Sequence, residues 1–164
     1  MLPTIEPLDH RDRAVAQRIH AIQWAAYTQE AQLLGVTDFP PLRQTVERIQ
    51  DSEEQFLGAV ALGTLAGIAA IEQTQDPQAL CISSLVVMPA MQRRGVASAL
   101  LREVLRRFGS HTLVVSTAAA NGPALALYGR FGFAELDRRL AGSLELVRLG
   151  RATMPPEPYR KESS

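Results

Sequence analysis

Residues Gln92-Arg93-Arg94-Gly95-Val96-Ala97 place two adjacent arginines and a glycine where an apolar run, Leu85-Val86-Val87-Met88, gives way through Pro89 to a helical pattern. The first amides of a helix have no partner within it and lie at the positive end of its dipole. Gly95 has no side chain, so an oxyanion can approach the backbone closely there. Arg93 and Arg94 add charge at the same end, where cations disfavour the helix by roughly 0.3–1 kcal/mol each. A bound polyanion reverses that sign. On the residues alone two readings stay open: a phosphate or pyrophosphate cradle, or a solvated basic cap on a plain helix. The segment is not an ATP-binding phosphate loop, because no glycine-rich run ends in Lys-Ser or Lys-Thr. It is not a dinucleotide fingerprint either, because Gly95 stands alone where three spaced glycines are needed.

Other reactive side chains are few. Cys81 is the single cysteine, which excludes an intrachain disulfide and a cysteine-rich metal site. It sits in an apolar segment, as a buried spectator or a thiol near a ligand, and no histidine lies close in sequence to make it a nucleophile. His10, His20 and His111 are scattered without metal-ligand spacing and read as surface or capping residues. No metal is expected.

The elements that carry these residues follow from periodicity. Thr4–Leu8 reads as a short strand. Residues 11–27 have helical spacing, with Asp9 or Asp12 as cap. A second, weaker helix is expected over 28–35 and a third over 38–52, with Pro41 in its first turn. Residues 54–73 divide into two strands around Gly63-Thr64, and Asp76-Pro77 marks a turn. Residues 79–88 form a strand stopped by Pro89. From Gly95 to Phe108, Val96, Ala97, Leu100, Leu101, Val104, Leu105 and Phe108 share one helix face. Residues 112–118 read as a strand, 121–133 as a short helix with a glycine turn, and 134–150 as a hairpin. The strand–helix–strand unit at 80–118 is expected to be a right-handed parallel crossover. The expected class is α/β (α+β), a mixed sheet with helices on its faces.

Bulk properties limit the partners. The chain has 164 residues, 46% hydrophobic and 21% charged, which suits one globular domain with a real core. Basic and acidic residues balance at 17 each, giving no case for nucleic acid or an anionic membrane. The opening residues have no basic start followed by an apolar stretch, so no secretory leader is expected. The longest apolar run, 56–71, is too short to span a bilayer. A cytoplasmic location is the expectation. One domain is expected over 1–150, followed by a proline-rich polar tail over 151–164.

The segment Gln92–Ala97 matches the Gln/Arg-x-x-Gly-x-Gly/Ala signature of the GNAT superfamily of acyl-CoA-dependent N-acyltransferases. Residues 121–133, NGPALALYGRFGF, resemble that family's second signature: an Asn, a short helix, then Tyr and a glycine turn to Phe. The two stand about 30 residues apart, as is typical of the family. The resemblance implies a central, mostly antiparallel twisted sheet of about seven strands with one splayed parallel pair and helices on both faces. It also implies acetyl-CoA as donor, its pantetheine arm pairing with Leu85, Val86 and Val87. The pyrophosphate would lie on Gln92, Arg93, Arg94, Gly95, Val96, Ala97 and Ser98. Asn121, Ala124 and Leu127 would line the arm, and Tyr128 would be the general acid beside the thioester sulfur; the bland alternative is a core tyrosine.

By the same resemblance a primary amine attacks directly, and the best carboxylate near the sheet to take its proton is Glu72, at the end of a strand. Ser83 or Ser84 could order a water. Trp24, Tyr27, Glu30 and Phe39 lie where an acceptor pocket is expected, as its lining or its packing. The acceptor is a small-molecule or peptide amine; a protein N-terminus or lysine is the alternative within the class, and a silent acyl-CoA sensor the alternative outside it. The family is often dimeric, so a homodimer is possible. Leu144, Leu146 and Leu149 would either form its interface or complete the core.

Overall fold

In the computed structural model, residues 2–153 are described. Strand β1 (Thr4–Leu8) leads into helix α1 (Arg13–Leu34). Of the two candidate caps, Asp12 is the one used: its carboxylate accepts from the amides of Ala14 and Val15 at 2.9 and 3.3 Å. The separate helix expected over 28–35 does not exist. It is the last part of α1, which runs unbroken until Gly35 takes the left-handed conformation and closes it. The helix expected over 38–52 divides instead. Pro40–Arg43 form a 3₁₀ turn, Gln44 and Thr45 are extended, and α2 (Val46–Asp51) begins anew because the Thr45 hydroxyl caps the Arg48 amide at 3.1 Å.

Strands β2 (Gln55–Ala61), β3 (Thr64–Gln73) and β4 (Ala79–Val87) follow as an antiparallel meander. Helix α3 (Val96–Phe108) carries the chain to β5 (Thr112–Ala118), parallel to β4. Helix α4 (Gly122–Arg130) and the hairpin β6 (Ala134–Ala141) and β7 (Leu144–Arg151) complete the order. The seven strands form one sheet in the order β1-β2-β3-β4-β5-β7-β6. Arg151 closes β7, and residues 154–164 of the expected tail lie outside the described residues.

Two apolar cores cover the two faces of this sheet. On one face Ala16, Ile19, Ile22 and Ala26 of α1 and Ile49 of α2 pack on Phe56, Ile68, Ala70 and Val86. On the other, Val96, Leu100, Leu101 and Val104 of α3, with Tyr128 of α4, pack on Leu57, Ala69, Ile71, Ile82 and Val87. Neighbouring residues of β3 thus belong to opposite cores, as period-two alternation demands. Gly67 lets α3 lie close: a Cβ there would meet the Val86 carbonyl at 2.9 Å and Val96 Cγ1 at 3.1 Å. Leu149 joins this core, and Leu144 and Leu146 line a cleft described below.

Candidate active site

The site exists because β4 and β5 part. They pair only at Ala79–Cys81 against Thr112–Val114. From Ile82 onward β4 keeps β3 on one side, and its other edge is open. The β4 strand also bulges at Ser83, between the pairs Ile71–Ile82 and Ala70–Ser84. An extra residue re-aims the side chains beyond it. Val115–Ala118 of β5 pair with β7 instead. The result is a cleft of about 770 Å³ between residues 82–86 and 115–118, walled by α1 and the 3₁₀ turn on one side and by α4 and the β6–β7 turn on the other. That volume lies within the range of sites for extended small ligands.

The basic loop stands beyond the C-terminal end of β4. Arg93 and Gly95 both have positive φ, 63° and 77°. A left-handed arginine is costly, and such outliers concentrate where ligands are clamped. No side chain caps Gly95, so the first amides of α3, on Val96, Ala97 and Ser98, have no partner among the described residues. Residues 92–95 are exposed, and the Gln92 side chain is held by Gln29 of α1 at 2.6 Å. Open amides, a helix of 13 residues behind them and two exposed guanidiniums suit an oxyanion. This geometry favours the cradle over the plain basic cap.

Tyr128 projects from α4 into the cleft with 5% of its surface exposed. Its ring packs edge-on against Phe133 at 5.4 Å. Burial pushes its hydroxyl well above the ordinary phenol range, helped by Tyr27, Glu30 and Cys81. It therefore stays protonated at any working pH. Asn121 caps α4, its side-chain oxygen accepting from the Ala124 amide at 3.2 Å, while its Nδ2 donates to Glu30 Oε1 at 3.3 Å. That bond ties α4 to α1 across the cleft. Burial raises the Glu30 carboxyl above its ordinary range, against the Asn121 hydrogen bond, which lowers it. Tyr27, one turn earlier on α1, shares its hydroxyl with Ser84 Oγ at 2.7 Å, and burial pushes it up to about 12.

The expected residues divide by position. Leu85, Val86, Asn121, Ala124 and Tyr128 line the cleft, as do Tyr27, Glu30 and Phe39. Val87 and Leu127 belong to the core beside it, and Val96 is buried beneath the loop. Trp24 is 53% exposed and stacks near His20, away from the lining. Glu72 pairs with Cys81 at the far end of β3 and lies outside the lining. The carboxyl of Glu72 is raised by partial burial and by Glu54. The sequence reading did not single out Ser116, Thr117, Asp38, Arg139 or the β6–β7 turn, which also line the cleft. Nor did it single out Glu54, which accepts a hydrogen bond from Ser83 Oγ. No local motif marks these residues. His10 and His20 bond the carbonyls of Ser52 and Gln44 at 2.7 and 3.0 Å, and no metal-binding cluster occurs among the described residues. No helix among them is long and apolar enough to cross a membrane.

Comparison with known proteins places this geometry. Over 134 residues, 81% of this chain, it is 34% identical to the protein YqkA of Bacillus subtilis (strain 168), of which it spans 38%. It is 33% identical over 113 residues to the N-alpha-acetyltransferase RimI of Mycobacterium tuberculosis, covering 67% of this chain and 71% of that one. Among solved structures, yncA of Salmonella typhimurium, described as a putative acetyltransferase with its cofactor acetyl-CoA, superposes with a TM-score of 0.71 at 20% identity, covering 96% of this chain and 98% of that one. At that identity the likeness is one of fold. The model of the acetyltransferase (GNAT) family matches residues 16–133, from within α1 to the end of the second signature, and the chain therefore belongs to that family.

Proposed function

We propose that the protein transfers an acetyl group from acetyl-CoA to a primary amine by direct attack in a ternary complex. The observation that carries this reading is the open edge of β4 leading straight to uncapped amides at the start of α3. Unpaired strand groups along Leu85–Val87 suit the amide-bearing pantetheine arm, and Arg93–Ser98 suit the pyrophosphate. The name of the Salmonella structure, which includes acetyl-CoA, supports the same donor.

In this reading the chain holds both reactants in line, which supplies much of the rate. The protonated amine first yields a proton to become nucleophilic. The C–N bond then forms as the C–S bond breaks, the amine nitrogen gives up a second proton, the thiolate takes one from Tyr128, and the tyrosinate is reprotonated, leaving amide, free CoA and one net proton. Glu30 takes the amine proton in place of Glu72, because Glu30 lines the cleft, the other carboxylate there, Asp38, is paired with Arg43, and the raised Glu30 carboxyl is a stronger base than an ordinary glutamate. Thiol release from acetyl-CoA, measured against polyamines, amino acids, aminoglycosides and short peptides with free N-termini, tests the proposal. Release that depends on one class of amine supports it. Failure to bind any CoA species refutes it.

A further inference from the structure

A second hollow of about 290 Å³ adjoins the cleft on the α1 side of β4. Tyr27, Pro40, Pro41, Ser83 and Ser84 line both spaces, so a molecule in the second reaches the first across the β4 bulge. Its size suits a small molecule.

Its lining carries charges of both signs. Beside Ser83, which lines both spaces, lies Glu54, accepting hydrogen bonds from the Ser83 and Ser52 hydroxyls. Gln23 lines it too, 4% exposed, its Nε2 donating to Ser84 Oγ at 3.3 Å and its Oε1 without a partner among the described residues. A carboxylate and an orphaned carbonyl make this part negative. Arg43 and Arg48 line the same hollow. Arg43 is paired with Asp38 at 2.7 Å. Arg48 has no carboxylate partner among the described residues, and its one hydrogen bond, to the Arg43 carbonyl, is long at 3.5 Å. An arginine in that position has its planar fork free for an incoming carboxylate.

We infer that this hollow is the acceptor site for a small amine that also carries a carboxylate, an α-amino acid or a similarly short zwitterion. Glu54 and Ser83 hold the ammonium beside the thioester, and Arg48 holds the carboxylate. Glu54 here orients the amine, and the proton leaves to Glu30 as above. A peptide N-terminus carries an amide where a free amino acid carries its carboxylate, and so leaves Arg48 unmatched. The inference rests on the acetyltransferase reading for its chemistry, though binding is measurable apart from it.

The test is calorimetric titration of the CoA-loaded full chain with glycine, L-alanine, L-leucine and L-phenylalanine, each beside its carboxamide and beside a short peptide beginning with the same residue. At least one free amino acid is expected to bind about tenfold or more tighter than its carboxamide, the weight of one charge-assisted pair. Arg48→Gln should close that gap to within about twofold, and Arg48→Lys should keep part of it. Equal binding of acid and carboxamide overturns the inference, as does binding of peptides alone. If the chain does not load CoA, the donor reading fails, and the same titration of the free chain still decides this inference.

Discussion

Replacing Tyr128 with Phe removes one oxygen and leaves the ring in place. The ring packs on Phe133, and nothing among the described residues hydrogen-bonds the hydroxyl, so the fold loses no partner. Stability should stay within about 1 kcal/mol of the parent, as for a substitution that opens no cavity and strands no polar group. Catalysis should not. General acid–base groups contribute about 10²–10⁴-fold. Burial makes this phenol a weaker acid than an ordinary one, which points to the lower end of that range. The expected loss in kcat is about a hundredfold, or about 2.7 kcal/mol of transition-state stabilisation. The KM for acetyl-CoA should change less than about twofold, because the proton matters only as sulfur leaves. Steady-state thiol release and a thermal melt on the same preparation measure both quantities. Undiminished kcat would refute the role of Tyr128. So would a loss of rate that tracks a drop in Tm, since that is the mark of a core tyrosine.

Three further expectations follow from the same geometry. Gly95→Ala puts a Cβ on a residue with φ of 77° and open space around it, so the cost to the fold is conformational, about 1–2 kcal/mol. The new methyl stands where the oxyanion would approach, and CoA binding by calorimetry should weaken about tenfold; unchanged affinity would remove Gly95 from the cradle. Glu30→Gln should act oppositely on activity and stability. A carboxyl raised by burial gives stability that is fully present below the ordinary carboxylate range and lost as pH rises through its raised value. The variant should therefore melt higher than the parent near pH 7, with the difference vanishing towards pH 4, while acetyl transfer falls; a variant less stable at pH 7 than at pH 4 relative to the parent contradicts the assignment. Burial, with Glu72 and Glu54, pushes the Cys81 thiol up to about 11, so alkylation at pH 8 should run about a hundredfold slower than for a free thiol. Labelling at the free-thiol rate would show that Cys81 is more open than described.

The local patterns carry the cofactor side of the site and the sheet that frames it. Leu85 to Phe108 announces its own structure because strand alternation, a proline stop, one glycine and a 3.6-residue apolar repeat are all local, and they place Gly95 at the first turn of α3 with no help from distant residues. The hairpins around Gly63 and Gly142 and the cap of α4 at Asn121 are legible for the same reason. The breaks within residues 28–52 are not, since whether α1 stops at Tyr27 or runs to Leu34 depends on what its last turns pack against.

The acceptor side was decided by tertiary structure. Period-two alternation says that a strand has two faces, but not which one meets the cleft. Glu72 follows Ile71, which faces the α3 core, and so turns to the other face at the far end of β3, outside the cleft lining. Glu30 and Asn121 are 91 positions apart and meet only because α1 and α4 wall the same gap. Glu54 reaches Ser83 only because β4 bulges there. Sequence determined that a glycine and two arginines open α3, since a helix terminus is a property of one segment. Which carboxylates line the cleft was decided by strand order, parity and one bulge, and those arise only when separate segments pack together.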